Sequence, residues 1–402
     1  MVKTLTKIKW KYYVNYIVIG ILTIFFGVRS ITGDMTSSDI YLLEKIAISI
    51  MLAVSLSVVV GFLGELSLGH AGFMCVGAYL GGKTAAILDP ILNNDWLTLL
   101  ASLVVGGAVA ALFGVIIGLP ALRLRGDYLA IVTLAFGEIV RSFFMNSSEE
   151  SFGGSLGLDT PRFNKNYLFI IALVLVLGCL FVIQNLIRSK HGRAITSIRD
   201  NEIAARATGI NVTKYKLMVF TISSFFAGIA GVLYSFSNFT IQSTNFSYNY
   251  SIEILVMVVL GGMGSINGAI LAATAITFLN KFLQTDLVQI LNTNFPGGNP
   301  AIEYIKDSLP IFKNMIYALV LIILVIYNNA PALKGFREKY SIKAVFAKLK
   351  KNKDGDPSHV QEDEHKWDRV PTKIKMDEVL SVDVQVKSPY TPDKGEKGEE
   401  NE

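Results

Sequence analysis

The chain has 402 residues, of which 51% are hydrophobic and 17% are charged. Residues 334–402 hold 30 of the 69 Asp, Glu, Lys and Arg residues, so only 39 remain for the first 333 residues. This is about half the charged fraction of a soluble domain, too little to cover a water-exposed surface. The composition excludes a secreted enzyme, a disulfide scaffold and a cytosolic nucleotide-binding domain. It predicts an all-α polytopic membrane protein with a charged C-terminal tail.

The number of cysteines and the net charge limit the kinds of site that the chain could contain. The two cysteines, Cys75 and Cys179, both lie in apolar runs and are too few to form a metal cluster. The net charge of +5 does not indicate nucleic-acid binding, because the basic residues flank apolar segments. We predict no catalytic, cofactor-binding or metal-binding residues, and a protein that is not an enzyme.

About ten apolar stretches approach the roughly 20 residues needed to cross the hydrocarbon core of a bilayer, although several are short or interrupted by glycine. They lie at 12–28, 40–63, 70–88, 97–119, 128–145, 167–187, 216–237, 252–265, 267–285 and 311–330. No convincing cleavage site follows the first stretch, so it is expected to be an uncleaved span rather than a signal peptide.

The distribution of basic residues predicts the orientation. With these spans, every strongly basic segment falls on one side of the membrane, and the positive-inside rule makes that side cytoplasmic. These segments are the Lys-rich start at 1–11, Arg123 and Arg125, the loop at 190–215 and the chain after Lys334. We thus predict cytoplasmic N- and C-termini, a transmembrane domain at 12–333, and a disordered charged tail at 354–402. The basic segment at 334–353 fits an amphipathic helix on the membrane surface or an ordinary stop-transfer flank.

The first segment with unusual chemistry is glycine-rich and lies between residues 61 and 82. Glycines permit close helix packing or an interrupted helix, and polar residues in such a segment indicate a pathway-lining element. The candidate pathway residues are Gly64, Ser67, Gly69, His70 and Phe73. The alternative is tight helix packing, with Glu65 at the membrane surface.

The second segment runs from 118 to 141, where Pro120 and Gly126 bound a short loop. Glu138 and Arg141 are three residues apart, so they share a helix face and could pair. Glu138 and Thr133 are further candidates for the pathway. A Glu138–Arg141 pair that only fixes helix packing is the alternative.

The third segment, a loop at 190–215, is longer than a simple connector. Its isoleucines and alanines predict short helices with small apolar faces, and Gly209 is well placed to end one of them. A small helix parallel to the membrane could dock in a groove on another protein. A basic surface loop is the plainer alternative.

The fourth segment, at 256–271, is again an apolar run interrupted by glycines, among them Gly261, Gly262 and Gly264. Interrupted helices in corresponding positions of two halves point to a central binding pathway. The first and fourth segments therefore suggest two pseudo-repeated halves, with these three glycines near the pathway.

Together, these segments resemble the LivM-type permeases of bacterial branched-chain amino acid ABC importers over roughly residues 40–330. The resemblance is carried by the residues at 64–73, 77–79, 123–138, 199–209, 227–231 and 261–264. It implies a permease that works with a second homologous permease, two cytoplasmic ATPases and an extracytoplasmic solute-binding protein in the lipid bilayer of the cell membrane.

The resemblance also implies that the loop near Glu202 couples the permease to an ATPase. The residues that match are Arg199, Asp200, Glu202, Ala204, Ala205 and Gly209, whereas Ile203 departs from the usual family pattern. The chain lacks a Gly-x-x-x-x-Gly-Lys-Ser/Thr phosphate loop, consistent with ATP hydrolysis by another subunit.

Three alternatives stay open at this point. The substrate could be urea or another small amide or amino acid. The chain could be an ion-coupled secondary transporter or channel in which Glu65, Glu138 or His70 relays protons. It could also be a membrane scaffold without transport.

Overall fold

The computed structural model describes residues 14–32, 35–121, 124, 126–161, 163, 165–282, 315 and 319. The predictions for the N-terminus at 1–11, for Arg123 and Arg125, and for the segments at 334–353 and 354–402 lie outside the described residues. The same holds for the stretch at 311–330 apart from Met315 and Leu319.

Helices form almost all of the regular structure in the described part of the chain. They are α1 Val14–Ile31, α2 Ser37–Ser57, α3 His70–Leu92, α4 Asp95–Ala121, α5 Asp127–Met145, α6 Glu149–Phe152, α7 Lys165–Arg188, α8 Lys190–Asp200, α9 Glu202–Ala207, α10 Val212–Ser237, α11 Tyr248–Leu260 and α12 Ile266–Lys281. A π-helical turn at Val58–Leu63 extends α2, and a 3₁₀ turn occupies Ser243–Phe246. The two-residue strands β1 Leu158–Asp159 and β2 Thr240–Ile241 pair antiparallel, with Leu158 opposite Ile241.

Within the described residues, six helices are long and apolar enough to cross a membrane: Ser37–Leu63, His70–Leu92, Asp95–Ala121, Asp127–Met145, Tyr167–Arg188 and Val212–Ser237. They coincide with the spans predicted at 40–63, 70–88, 97–119, 128–145, 167–187 and 216–237. The stretches at 12–28 and 252–265 overlap the shorter apolar helices Val18–Ser30 and Tyr248–Leu260. The described residues thus form a multi-pass helical membrane protein, while the count of about ten spans stays a prediction.

The bundle has two distinct ends, and α10 runs from one to the other. At the sheet end, which contains β1 and β2, Tyr79 of α3 donates a hydrogen bond to the carbonyl oxygen of Ile241 at 3.2 Å. At the α8–α9 end, Arg199 of α8 donates one to the carbonyl oxygen of Gly61 at 3.2 Å. Since α10 has 26 residues, it spans about 39 Å, enough to cross a bilayer.

Glycines allow α3, α4 and α10 to pack in direct contact at the centre of the bundle. A Cβ added to Gly77 would lie 2.4 Å from the Cα of Gly228, and a Cβ added to Gly228 would lie 2.7 Å from the carbonyl oxygen of Gly106. Small residues at helix interfaces permit such close backbone approach in membranes. The glycine pattern of these spans is therefore a packing requirement.

We expect Gly228→Ala to destabilise the protein, because overpacking a tight contact costs roughly 1–3 kcal/mol. The matched control is Gly178→Ala on α7, where an added Cβ would meet nothing within 4 Å. The melting temperature can be followed with a thiol-reactive fluorophore, since Cys75 and Cys179 are both buried until the protein unfolds. Equal melting temperatures for the two variants would contradict the packing interpretation.

Candidate functional site

A break separates α2 from α3. The π turn of α2 ends at Leu63 and α3 begins at His70, so residues 64–69 interrupt two apolar helices. Gly64 has a φ of +81°, and a Cβ at this position would lie 2.6 Å from the Cγ of Arg199. An interruption is thus present where the glycine-rich pattern indicated one, and only glycine fits at its first residue. We call residues 64–69 the interruption.

Hydroxyl groups from two other helices complete the backbone hydrogen bonds of this region. The N–H of Leu68 donates to the Oγ1 of Thr133 on α5 at 3.0 Å, and the N–H of Ala71 donates to the Oγ of Ser251 on α11 at 3.1 Å. Non-helical backbone at membrane depth is tolerated when protein supplies these partners. Thr133 therefore has a clear structural role beside its predicted place in the pathway.

Five of the predicted pathway residues are buried: Ser67, Gly69, His70, Phe73 and Thr133. Ser67, His70 and Phe73 are each 2% exposed, and Thr133 is fully buried. A ring nitrogen of His70 lies 2.9 Å from the Oγ of Ser55. These side chains surround the interruption, and their contact with a transported solute stays a prediction.

The two glycine-rich segments of the sequence meet in space. The turn between α11 and α12 contains Gly262 and Gly264, both with positive φ, and Gly261 ends α11. A Cβ added to Gly61 would lie 2.5 Å from the backbone nitrogen of Gly264. The end of α2 and the α11–α12 turn are therefore in direct backbone contact.

Arg199, on the last turn of α8, connects this contact to the loop between α7 and α10. One guanidinium nitrogen donates to the carbonyl oxygen of Gly61, and two others donate to Asp200 at 3.1 and 2.9 Å. The same guanidinium is 3.8 Å from the position that a Cβ of Gly264 would occupy. Arg199 thus touches both glycine-rich segments at once.

A second connection is made by the charge network, which comprises Glu65, Glu202, Arg206 and Lys216. The ammonium of Lys216 pairs with the carboxylate of Glu65 and, at 3.1 Å, with that of Glu202. Arg206 pairs with Glu202 at 2.6 Å. The side chain of Lys216 is 3% exposed, whereas Glu65 and Glu202 are 13% and 22% exposed. The network joins α10, α9 and the interruption.

The α9 helix has one face toward the bundle and one toward solvent. Asn201 caps it by accepting a hydrogen bond from the N–H of Ala204 at 3.0 Å. Ala205 is 4% exposed, while Ile203 is 74% exposed and Ala204 is also exposed. Gly209, with a φ of +86°, lies just after the helix. The outward face is therefore formed by Ile203 and Ala204, with Ala205 packed inward.

The expected pair between Glu138 and Arg141 is present, with 2.8 Å between Oε2 and Nε. The other oxygen of Glu138 accepts the backbone N–H of Tyr248, the first residue of α11, at 2.9 Å. A carboxylate is favourable at a helix N-terminus because of the helix dipole. Glu138 thus anchors the start of α11, and a role in transport stays a prediction.

Two features escaped the sequence analysis. Lys216 lies one turn into an apolar span, a position that usually marks function or a buried partner, and this signal could have identified it. A cavity of about 300 Å³ lies at the sheet end between α2, α10, α11 and α12.

Among the described residues, no three His, Cys, Asp or Glu side chains are grouped so that they could hold a metal ion.

We expect Lys216→Met to lower the melting temperature strongly, because it leaves two partly buried carboxylates without their cation. Loss of one partner of a buried ion pair costs roughly 3–5 kcal/mol, and the partial exposure of both acids places this case near the lower limit. Lys214→Met, on the exposed side of the same helix, is the matched control.

A double variant tests whether the uncompensated carboxylates cause the loss of stability. Adding Glu65→Gln to Lys216→Met removes one uncompensated carboxylate, so part of the lost stability should return. If the double variant melts no higher than Lys216→Met alone, the ion pairs are not the reason for the loss.

Comparisons with known proteins agree with these features. The family described as branched-chain amino acid transport system / permease component matches residues 40–325. The LivM permease protein of the high-affinity branched-chain amino acid transport system of Salmonella typhimurium is 38% identical over 268 residues, 59% of this chain and 61% of that protein. The LivM protein of Escherichia coli is 37% identical, again over 59% of this chain and 61% of that protein.

More distant relatives include the ribose import permease protein RbsC of Escherichia coli, which is 27% identical over 60% of this chain and 76% of its own length. No solved structure matches the chain. The chain spans about 61% of the length of the two LivM proteins. Because the family match covers most of the chain, including α2 from Ile40 onward and every helix from α3 to α12, this protein belongs to the branched-chain amino acid transport system permease family.

Proposed function

We propose that this chain is the transmembrane permease subunit of an ABC importer that moves branched-chain amino acids across the cytoplasmic membrane. Two cytoplasmic ATPase subunits hydrolyse the ATP, a second homologous permease completes the membrane part, and an extracytoplasmic solute-binding protein delivers the substrate. In this proposal, the α8–α9 end and both termini are cytoplasmic and the sheet end faces outward. The chain itself is not an enzyme.

The observation that carries the proposal is the attachment of α8 and α9 to the interruption. Arg199 bonds to Gly61, and Lys216 holds Glu65 against Glu202 of α9. A push on α8 and α9 is therefore transmitted to the end of α2, and through its contact with Gly264 to the α11–α12 turn. Small shifts of this kind become large changes when packed helices have two stable arrangements.

The outward face of α9 supplies the contact for an ATPase. Ile203 is an exposed, large apolar side chain on a short helix whose other exposed residues include Ala204 and Ala207. Ile203, with the exposed Ala204, Arg206 and Ala207 beside it, fits a groove on a partner protein as the central anchor. The residue that departs from the usual family pattern is thus the best candidate for this anchor.

Two observations bear on the alternatives. The relatives named for branched-chain amino acids are 37–38% identical to this chain, whereas the relative named for ribose is 27% identical, which supports an amino acid as the substrate. Glu65, His70 and Glu138 bond to Lys216, Ser55 and Arg141 respectively. Three separate sets of partners favour structural roles for these side chains over a shared proton relay. Urea or another small amide or amino acid is the alternative substrate.

We expect Ile203→Asp to uncouple the importer reconstituted with its ATPase, second-permease and solute-binding subunits. Loss of a central anchor costs about 2 kcal/mol or more in docking, so substrate-stimulated ATPase activity and uptake should fall roughly tenfold or more. Leu156→Asp is the matched control, because Leu156 is 68% exposed at the sheet end.

The same preparation discriminates between the function classes. Leucine uptake should require ATP inside the proteoliposomes when the ATPases lie there. Uptake by this chain alone under an ion gradient would contradict the ABC importer, as would full coupling in the Ile203→Asp variant.

A further inference from the structure

The cavity at the sheet end is formed by the first turns of α2, the 3₁₀ turn, the start of α11 and the last turns of α10 and α12. Its volume of about 300 Å³ is at the lower end of the range typical of small-molecule sites, roughly 300–1,000 Å³. Part of its wall is apolar, from Leu42, Ile48 and Phe246, and part is aromatic with a polar tip, from Tyr41 and Tyr250. A small molecule with both polar and apolar parts fits such walls.

Three charged side chains from three different helices line the same cavity: Lys45 of α2, Glu253 of α11 and Lys281 of α12. Lys45 stands eight residues after the first residue of α2, roughly 12 Å along the helix axis. Charges at this depth of a membrane bundle are costly, and they commonly mark a substrate or ion route. Their convergence on one cavity therefore requires an explanation beyond packing.

The two cations differ in their contacts. The ammonium of Lys45 lies 4.5 Å above the ring of Tyr41, and Lys45 is exposed. The ammonium of Lys281 forms a long pair with Asp39 at 3.5 Å. Lys45 therefore has donors available for an anionic group that enters the cavity, since an ammonium carries three.

The anionic side chain that lines the cavity is Glu253 of α11. Glu253 is 8% exposed and accepts a hydrogen bond from the side-chain amide of Asn280. An ionised carboxylate has about four acceptor positions, so a carboxylate can accept from more than one donor at once. The cavity therefore offers a cation and an anion to one small ligand, with an apolar wall beside them.

We propose that this cavity binds the zwitterion of a free α-amino acid with an apolar side chain. Lys45 binds the α-carboxylate, Glu253 binds the α-ammonium, and the wall formed by Leu42, Ile48 and Phe246 receives the side chain. The inference rests on the proposed function and adds an outward-facing substrate site within this subunit. A sugar or urea has no charges to pair with Lys45 and Glu253, so the cavity favours amino acids over both.

Protection of an introduced thiol tests the site. Ser38 is exposed and lines the cavity, while both native cysteines are fully buried. In Ser38→Cys, measured on the full chain in nanodiscs of phosphatidylglycerol, L-leucine should slow alkylation by a charged maleimide. The anion 4-methylpentanoate, the cation 3-methylbutylamine and neutral ribose should each protect much less. Ser155→Cys, exposed at the sheet end outside the cavity, should be alkylated at the same rate with and without leucine.

Substitutions of the charged residues sharpen the test. Lys45→Met or Glu253→Gln in the Ser38→Cys background should raise the half-protecting leucine concentration about tenfold or more, as expected for a lost charge-assisted hydrogen bond. Lys45→Arg should largely retain protection. Lys83→Met is the matched control, because Lys83 lies on α3 at the sheet end and bonds to the carbonyl oxygen of Glu150. Melting temperatures identify any variant that fails to fold. If Lys45→Met fails to fold, the comparison of Lys45→Arg with Lys83→Met tests the role of Lys45 instead.

The outcomes separate this site from the proposed function. Absence of leucine protection, or equal protection by ribose, overturns the zwitterion site. ATP-driven leucine uptake that is unchanged by Lys45→Met also overturns it, and leaves the importer intact. Protection that persists in a chain without ATP-dependent transport would keep the site and overturn the proposed function.

Discussion

A helix that stops inside a membrane leaves backbone N–H and C=O groups that lipid cannot satisfy, and this constraint organises the protein around residues 64–69. Each unsatisfied group would cost several kcal/mol in hydrocarbon. The partners come from elsewhere in the chain: Thr133 of α5, Ser251 of α11 and Arg199 of α8. The interruption can persist only while these helices stay in register with it, so the motions of all three are coupled at one place.

Charge reinforces that coupling at the α8–α9 end. A buried ion pair gives little net stability, because desolvation of the charges offsets most of their attraction, but breaking it is expensive. Lys216 and Glu65 therefore act more as a specific connection than as a source of stability. Since Glu202 shares the same ammonium, α9 cannot move independently of the interruption without exposing or unpairing a charge.

Local patterns in the sequence predicted much of the fold and little of these connections. Hydropathy identified all six long spans, glycine density identified the interruption, and the i, i+3 spacing identified the Glu138–Arg141 pair. By contrast, Lys216 and Glu65 are 151 positions apart, a pairing that no local pattern encodes. The faces of α9 depend on its rotation against the bundle, so the burial of Ala205 and the exposure of Ile203 emerged only in three dimensions.

The short helix α11 links the two ends of the molecule. Its first residue is held by Glu138, Ser251 holds the start of α3, and Tyr250 and Glu253 face the cavity. At its other end, the turn with Gly264 lies against Gly61 and Arg199. A helix of 13 residues, about 20 Å long, moves as a rigid body on this scale. A displacement of α8 that shifts the turn therefore also shifts Glu253. In the proposed importer, this one helix joins the surface proposed for an ATPase with the charges proposed to bind a zwitterion, and no separate relay through the core is required.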